Sequence, residues 1–295
     1  LEKAPLFEKQ ILFEGERFPN VVVTKDGTVL ATWGQKNCVS RRSVDGGDTW
    51  QPVVKIDQGI NGGGLMVNEN NGQLITFVEK GEHPPAPILP YFSSDQGQSW
   101  QTKKIKIHPD KNGNLPSMHM NEHGITLKAG QYKGRLLRTT RYYGQGNDRE
   151  YWPSHYTNAI YSDDGGRTWL PSDPFPLLGS SEPGLLELQD GRIYYNARTN
   201  SRPGNKLVGE SLNGGESWVE AREDDELFDG PPDVYGCKGA LAKIQYKGRE
   251  VLLFSAPGRR DKRDDITIRA SLDGGVTWPV SRLLKEGPGN YTWLA

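Results

Sequence analysis

A chain of 295 residues can hold one large domain or two ordinary ones, and its formal charge of −1 (36 Lys+Arg against 37 Asp+Glu) lacks the positive surplus that nucleic acid or an anionic membrane selects. No run approaches the roughly 18 apolar residues of a membrane span. No charged-then-apolar leader opens the sequence, so a signal peptide is expected to be absent or already removed. The 36 glycines, 20 prolines, 8 tryptophans and 12 tyrosines suit a turn-rich protein built of pleated, half-buried strands.

In chain order, LFEKQILFEGERFP (6–19) and VVVTKDGTVLATW (21–33) come first, the second reading as strand-turn-strand. SVDGGDTW (43–50) follows, and near-copies return as SSDQGQSW (93–100), SDDGGRTW (162–169), SLNGGESW (211–218) and SLDGGVTW (271–278). Strand-like segments lie between the copies: GQLITFVEK (72–80), GRLLRTT (134–140), LLELQDGRIYYNA (185–197), EVLLFSA (250–256) and DITIRAS (265–271). No segment of a dozen residues sustains helical periodicity.

The closing tryptophans stand at 50, 100, 169, 218 and 278, at intervals of 50, 69, 49 and 60 residues. That is the spacing of propeller blades, each a four-stranded sheet of about 40 to 50 residues, with insertions in the longer gaps. Within each copy, Asp or Asn with Gly supplies a tight turn needing positive φ, short polar side chains bond nearby backbone N–H groups, and Trp plugs the blade. The boxes are therefore read as structural staples, and the expectation is an all-β, six-bladed β-propeller forming one domain over 1–295. The sixth blade would join segment 6–19 to the C-terminal segment. Cys38 and Cys237, far apart, are expected to be buried free thiols.

Propeller sites lie over the central channel, so polar residues that break strand patterns near inner-strand ends are the candidates. Three arginines qualify: Arg17 in GERFPNVVV, Arg198 in YYNARTNSR and Arg263 in RRDKRDDITIRAS. Guanidinium forks suit a carboxylate. With these residues the chain resembles the sialidases (exo-α-sialidase or neuraminidase superfamily), which carry repeated Asp boxes and an Arg-x-Pro motif, here Arg17-Phe18-Pro19. The likeness runs from about residue 15 to the C-terminus. It implies Glu182, sixteen residues before Arg198, as the catalytic glutamate, and Tyr291, twenty-eight beyond Arg263, as the nucleophile. DVYGCKGAL (233–241) and NEHGITL (121–127) also resemble channel-wall segments of that family.

The resemblance implies a retaining exo-glycosidase for sialic acid or another 2-keto acidic sugar on glycans, with no cofactor and no metal. The three arginines would hold the sugar's carboxylate. That charge would repel a carboxylate nucleophile, which explains a neutral tyrosine in its place, activated by Glu182. A periplasmic or extracellular location goes with such substrates.

Two departures stand out. The family's acid/base aspartate should lie before the first box, where TWGQKNCVSRRS (32–43) holds no Asp or Glu. His119 in SMHMNEHG is the leading replacement, with Asp57 and Glu79 behind it, and His123 and Arg42 are further candidates for substrate contact. The sequence also stops four residues after Tyr291, where the family continues, so the last blade is expected to be incomplete. A non-catalytic acidic-sugar-binding propeller and a bare interaction scaffold are the competing readings.

Overall fold

The computed structural model describes residues 7–81, 85–119, 122–200, 204–229 and 236–295. Leu6, Met120, Asn121 and Asp233 to Tyr235, all within segments singled out above, lie outside them. Among the described residues the strands are arranged in five sheets. The first holds Asn20–Val23, Val29–Trp33, Asn37–Ser43 and Val54–Gln58 as an antiparallel meander. In the second, Ile60–Asn61 and Met66–Asn68 both pair with Gln73–Glu79, followed by Ile88–Ser93 and Gln101–Thr102. The third runs Ile125–Thr126, Leu136–Tyr142, Tyr156–Ser162 and Thr168–Pro171, with Lys106–Ile107 added in parallel at its edge. The fourth comprises Ser180–Glu187, Ile193–Thr199, Asn205–Ser211 and Val219–Phe228, and the fifth Ala240–Tyr246, Arg249–Pro257, Asp264–Ser271 and Val280–Pro288.

All five boxes fold alike because their bonds are local. The box Ser hydroxyl donates to the Asp or Asn side chain two residues on, at 2.6, 2.7, 2.8, 2.9 and 2.7 Å in chain order. The same hydroxyl accepts from the N–H of the glycine four residues on at 2.8–2.9 Å. The Asp or Asn oxygen accepts from the N–H four residues later.

The repeat also joins neighbouring sheets. A Cβ on that glycine would lie 2.3 Å from Leu30 at Gly97, 3.1 Å from Ile75 at Gly166, 2.5 Å from Leu137 at Gly215 and 2.6 Å from Tyr194 at Gly275. Each of those partners belongs to the preceding sheet, so the glycine's bareness lets the turn seat on its neighbour. Gly47, in the first sheet, has nothing within 4 Å. The tryptophans pack the same way: Trp169 lies edge-on to Phe77 of the second sheet, and Trp218 joins Leu137 and Ala159 of the third. Among the described residues the core is thus a series of inter-sheet clusters rather than one centre.

The expected sixth blade is corrected to five sheets. Residues 7–19 form no strand; Phe13 stacks on Trp33, and Gln10 bonds Gly47 and Trp50, so this segment lies over the first sheet. After Pro288 the chain does not turn outward to meet it. Gly289 N–H donates to Arg263 O, Thr292 bonds Ser255 O, and Tyr291 packs with Phe18 and Ile60. Both cysteines are free and buried, as expected.

Candidate active site

Arg17 ends the segment leading into the first strand, and its carbonyl accepts from Gly34 N–H. Phe18 holds φ at +61°, a left-handed conformation a bulky residue adopts only when its surroundings fix it. They do: Phe18 is buried, its carbonyl accepts from Asn61 Nδ2 at 2.7 Å, and its ring meets His119 edge-on at 4.9 Å. The exposed Arg17 guanidinium lies 4.7 Å from the same ring.

Glu182 owes its position to a bulge. Ser181 pairs with Arg198, but register shifts between Ser181 and Gly184, and Glu182, preceding Pro183, takes φ +45°. A bulge re-aims the side chain it carries. Here it brings Glu182 Oε1 to 2.7 Å from Arg198 Nη1, with both side chains more than nine-tenths buried. His119 sits on the neighbouring wall. Its N–H donates to Ser117 Oγ, whose hydroxyl donates to buried Glu79.

Arg263 donates to Gly236 O at 2.7 Å and lies 5.8 Å from the Tyr291 ring. Its platform is built by buried Asp229, which accepts from Lys206 Nζ and from Thr199 and Cys237 N–H. Gly236 has to be glycine, since a Cβ would lie 2.3 Å from the Asp229 carboxyl.

Three groups feel one another's charge. Burial would raise the Glu182 carboxyl, but Arg198, with Arg141 and His119, holds it below the usual glutamate range. Burial, then the Glu182 charge, pushes the Tyr291 phenol up to about 12 against Arg198 and Arg263. Burial, then Arg141, brings His119 down to about 3, with Arg17 and Arg198 acting the same way and Glu182 opposing them. At neutral pH the site therefore holds an ionised glutamate, a protonated tyrosine and a neutral imidazole. No direct hydrogen bond joins Tyr291 to Glu182 among the described residues; catalytic pairs often tighten only when substrate arrives.

Of the residues expected from the sequence, Arg17, His119, Glu182, Arg198, Arg263 and Tyr291 come together. Arg42 does not. It pairs opposite Leu30 at the box end of its strand, five residues and about 16 Å along from Asn37, near which Arg17 sits. His123 turns away as well, contacting Glu122 Oε1 at 3.3 Å and lining a cavity with Val23, Thr126, Glu187 and Leu294. Asp57 is engaged by Lys80 and Tyr91 on the sheet's outer side. Glu79 is fully buried beneath Ser117 and Met118. His119 lies in the cluster, but burial and Arg141 hold its ring neutral, which disfavours the acid half of the acid/base role expected of it.

Arg141 was missed. It lies 4% exposed behind His119, 4.3 Å from the Tyr143 ring, and donates to His155 Nδ1 at 2.9 Å while His155 Nε2 bonds Gly146 O. The one available signal was a pair of charges, Arg138 and Arg141, in a strand whose every residue is buried. Buried polar atoms with no partner in the protein concentrate here: His119 Nδ1, Arg141 Nε, Tyr143 Oη, Ser181 Oγ, Glu182 Oε2 and Arg198 Nε. Such atoms are rarely left unpaired, so their convergence marks a place that a polar ligand completes.

Fold and site together make this a sialidase-type Asp-box propeller. The chain belongs to the BNR repeat-like domain family, whose model matches residues 60–294. The sialidase of Micromonospora viridifaciens is 30% identical over 334 aligned residues, covering 98% of this chain and 50% of that protein. A Bacteroides fragilis (strain YCH46) sialidase is 24% identical over 326, covering 93% of this chain and 56% of that protein. The chain thus spans about half the length of the curated relatives it matches. In fold it is similar to the Hadza microbial sialidase Hz136 (TM-score 0.73, 24% identity, 94% of this chain, 60% of that one). It is also similar to a leech intramolecular trans-sialidase complexed with 2,7-anhydro-Neu5Ac (TM-score 0.77, 13% identity, 99% of this chain, 65% of that one).

Proposed function

We propose that this chain carries the catalytic centre of a retaining exo-glycosidase that releases terminal sialic acid, or a related 2-keto acidic sugar, from glycoconjugates. The observation that carries the reading is geometric. The buried Glu182–Arg198 pair at 2.7 Å lies in one cluster with Arg17 and His119, which both meet the Phe18 ring, and with Arg263, 5.8 Å from the Tyr291 ring. Arg17, Arg198 and Arg263 would clamp the sugar carboxylate. Tyr291 Oη then attacks the anomeric carbon and passes its proton to Glu182 as the glycosidic C–O bond breaks. The leaving oxygen takes a proton from solvent or from a donor outside this cluster. Water then attacks the same carbon from the face the aglycone left; the tyrosyl oxygen departs with the proton it had given to Glu182, and the water's surplus proton passes to solvent, so the sugar is released with net retention.

A phenol held near 12 gives almost no phenolate at neutral pH, so the adjacent ionised Glu182 is what makes Tyr291 a usable nucleophile. His119, neutral, bonded through its backbone N–H to Ser117 Oγ and edge-on to the Phe18 ring, would flank the bound sugar. Such substrates fit a periplasmic or extracellular setting. Among the described residues no helix is long and apolar enough to cross a membrane.

Release of 4-methylumbelliferone from its sialic acid, Kdn and Kdo glycosides tests the proposal and names the sugar. Turnover of one of them supports it; a folded protein that turns over none contradicts it. The second reading, an acidic-sugar-binding propeller without turnover, is favoured by one observation, the neutral His119 where a proton donor was expected. Sugar binding without turnover would select it.

A further inference from the structure

Tyr291 lies outside every strand, so something other than a sheet ladder must hold its hydroxyl in place. The groups around Lys238 supply the answer. Lys238 is 1% exposed, and its ammonium donates to Glu122 Oε2 at 2.7 Å, Gly239 O at 3.0 Å and Thr292 O at 3.0 Å. The same nitrogen lies 4.1 Å from the centroid of the Trp293 ring. Three acceptors match the three N–H groups of an ammonium, and the cation–π contact takes up its remaining face.

The pair bridges two sheets. Glu122 leads into the third sheet, and its N–H donates to Pro183 O, one residue beyond Glu182. Lys238 leads into the fifth, one residue after Cys237. The ion pair therefore links the backbone carrying Glu182 to the two residues that follow Tyr291.

Resting on the glycosidase reading above, we propose that Lys238, oriented by Glu122, is the positioning residue for the nucleophile, holding Tyr291 in register with Glu182. It touches no substrate. Its effect falls on the chemical step, because displacement of a reacting group by about 1 Å can cost 10²-fold in rate while the arginine clamp still binds the sugar. Arg17, Arg198 and Arg263 do not depend on Lys238 for any of their hydrogen bonds among the described residues.

The test is the double variant Lys238→Met with Glu122→Leu. It removes both charges together, so neither is left buried and alone. Its melting temperature is read alongside kcat, KM and the Kd of 2-deoxy-2,3-didehydro-sialic acid. Amide exchange across 290–294 is followed in the same samples. The expected result is a folded protein with kcat down about 10²-fold, Kd unchanged, and faster exchange at 292 and 293. Wild-type kcat in the folded variant overturns the proposal, as does a parallel loss of binding and rate. Should the wild type turn over no substrate, the glycosidase reading fails by itself. Exchange at 292 and 293 then still decides the positioning claim: unchanged exchange overturns it.

Discussion

Glu182 accepts a hydrogen bond from Arg198 at 2.7 Å, and it does so from a left-handed backbone position, φ +45°, within a bulge of the strand that pairs with Arg198's own. The pair is nine-tenths buried, yet Glu182 keeps a second oxygen, Oε2, with no protein partner. One oxygen is anchored and the other is free to take a proton. Strain of this kind persists where the surrounding structure over-determines it, commonly at functional sites.

Glu182→Gln is expected to leave acidic-sugar binding intact and to lower kcat by about 10²–10⁴-fold, the usual worth of a general base. Loss of the carboxylate also strands the Arg198 charge, so stability should fall by about 3–5 kcal/mol. Denaturant unfolding and steady-state kinetics on the same preparation check both. Binding that fails together with rate would mean that the clamp, and not the base, was damaged.

The pH profile follows from the directions given above. Glu182 has its folded value depressed, so its stabilising charge is present above the ordinary value of 4.5 and is lost only as pH falls through the lower folded value. The acid limb of kcat/KM should accordingly lie below pH 4.5, and Tyr291, held up to about 12, should give no alkaline limb between about pH 7 and 10. An acid limb near 6 would point to a histidine and contradict the assignment.

Without a charged donor for the leaving oxygen, rate should depend steeply on the aglycone. The ratio of kcat/KM for 4-methylumbelliferyl over alkyl glycosides is expected to reach about 10²–10⁴, the contribution normally supplied by an acid. A ratio near unity would show that a donor is present after all.

The seating of each box on the preceding sheet can be tested with one methyl group. Gly215 and Gly47 both hold positive φ, +87° and +104°, so alanine strains each backbone. Only at Gly215 does the new Cβ also strike a neighbour, Leu137 at 2.5 Å. Gly215→Ala should therefore cost about 1–3 kcal/mol more than Gly47→Ala by chemical denaturation, the usual range for overpacking.

Much of this was legible in the sequence, for a physical reason. Each Asp box is closed by bonds spanning two to four residues, so its eight letters specify its own geometry, and five boxes specify five sheets. The sixth was over-counted because segment 6–19 has strand-like composition, yet Phe13 and Gln10 find partners on the first sheet instead. The residues that gather at the site could be named through motif order. Arg141 and Lys238 could not, since each is made significant by partners distant in sequence: His119 and His155 for one, Glu122 and Thr292 for the other. Arg42 misled because proximity to a box in sequence places a residue at the box end of the sheet, away from Arg17.

The most direct measurement of the central claim is covalent trapping. The protein is incubated with 2,3-difluorosialic acid, whose glycosyl-enzyme is hydrolysed slowly, and adducts are located by intact mass and peptide mapping. A single adduct on Tyr291, absent from Tyr291→Phe and reduced in Glu182→Gln, is the predicted result. Turnover of substrate without any adduct on Tyr291, or with an adduct on another residue, would contradict it.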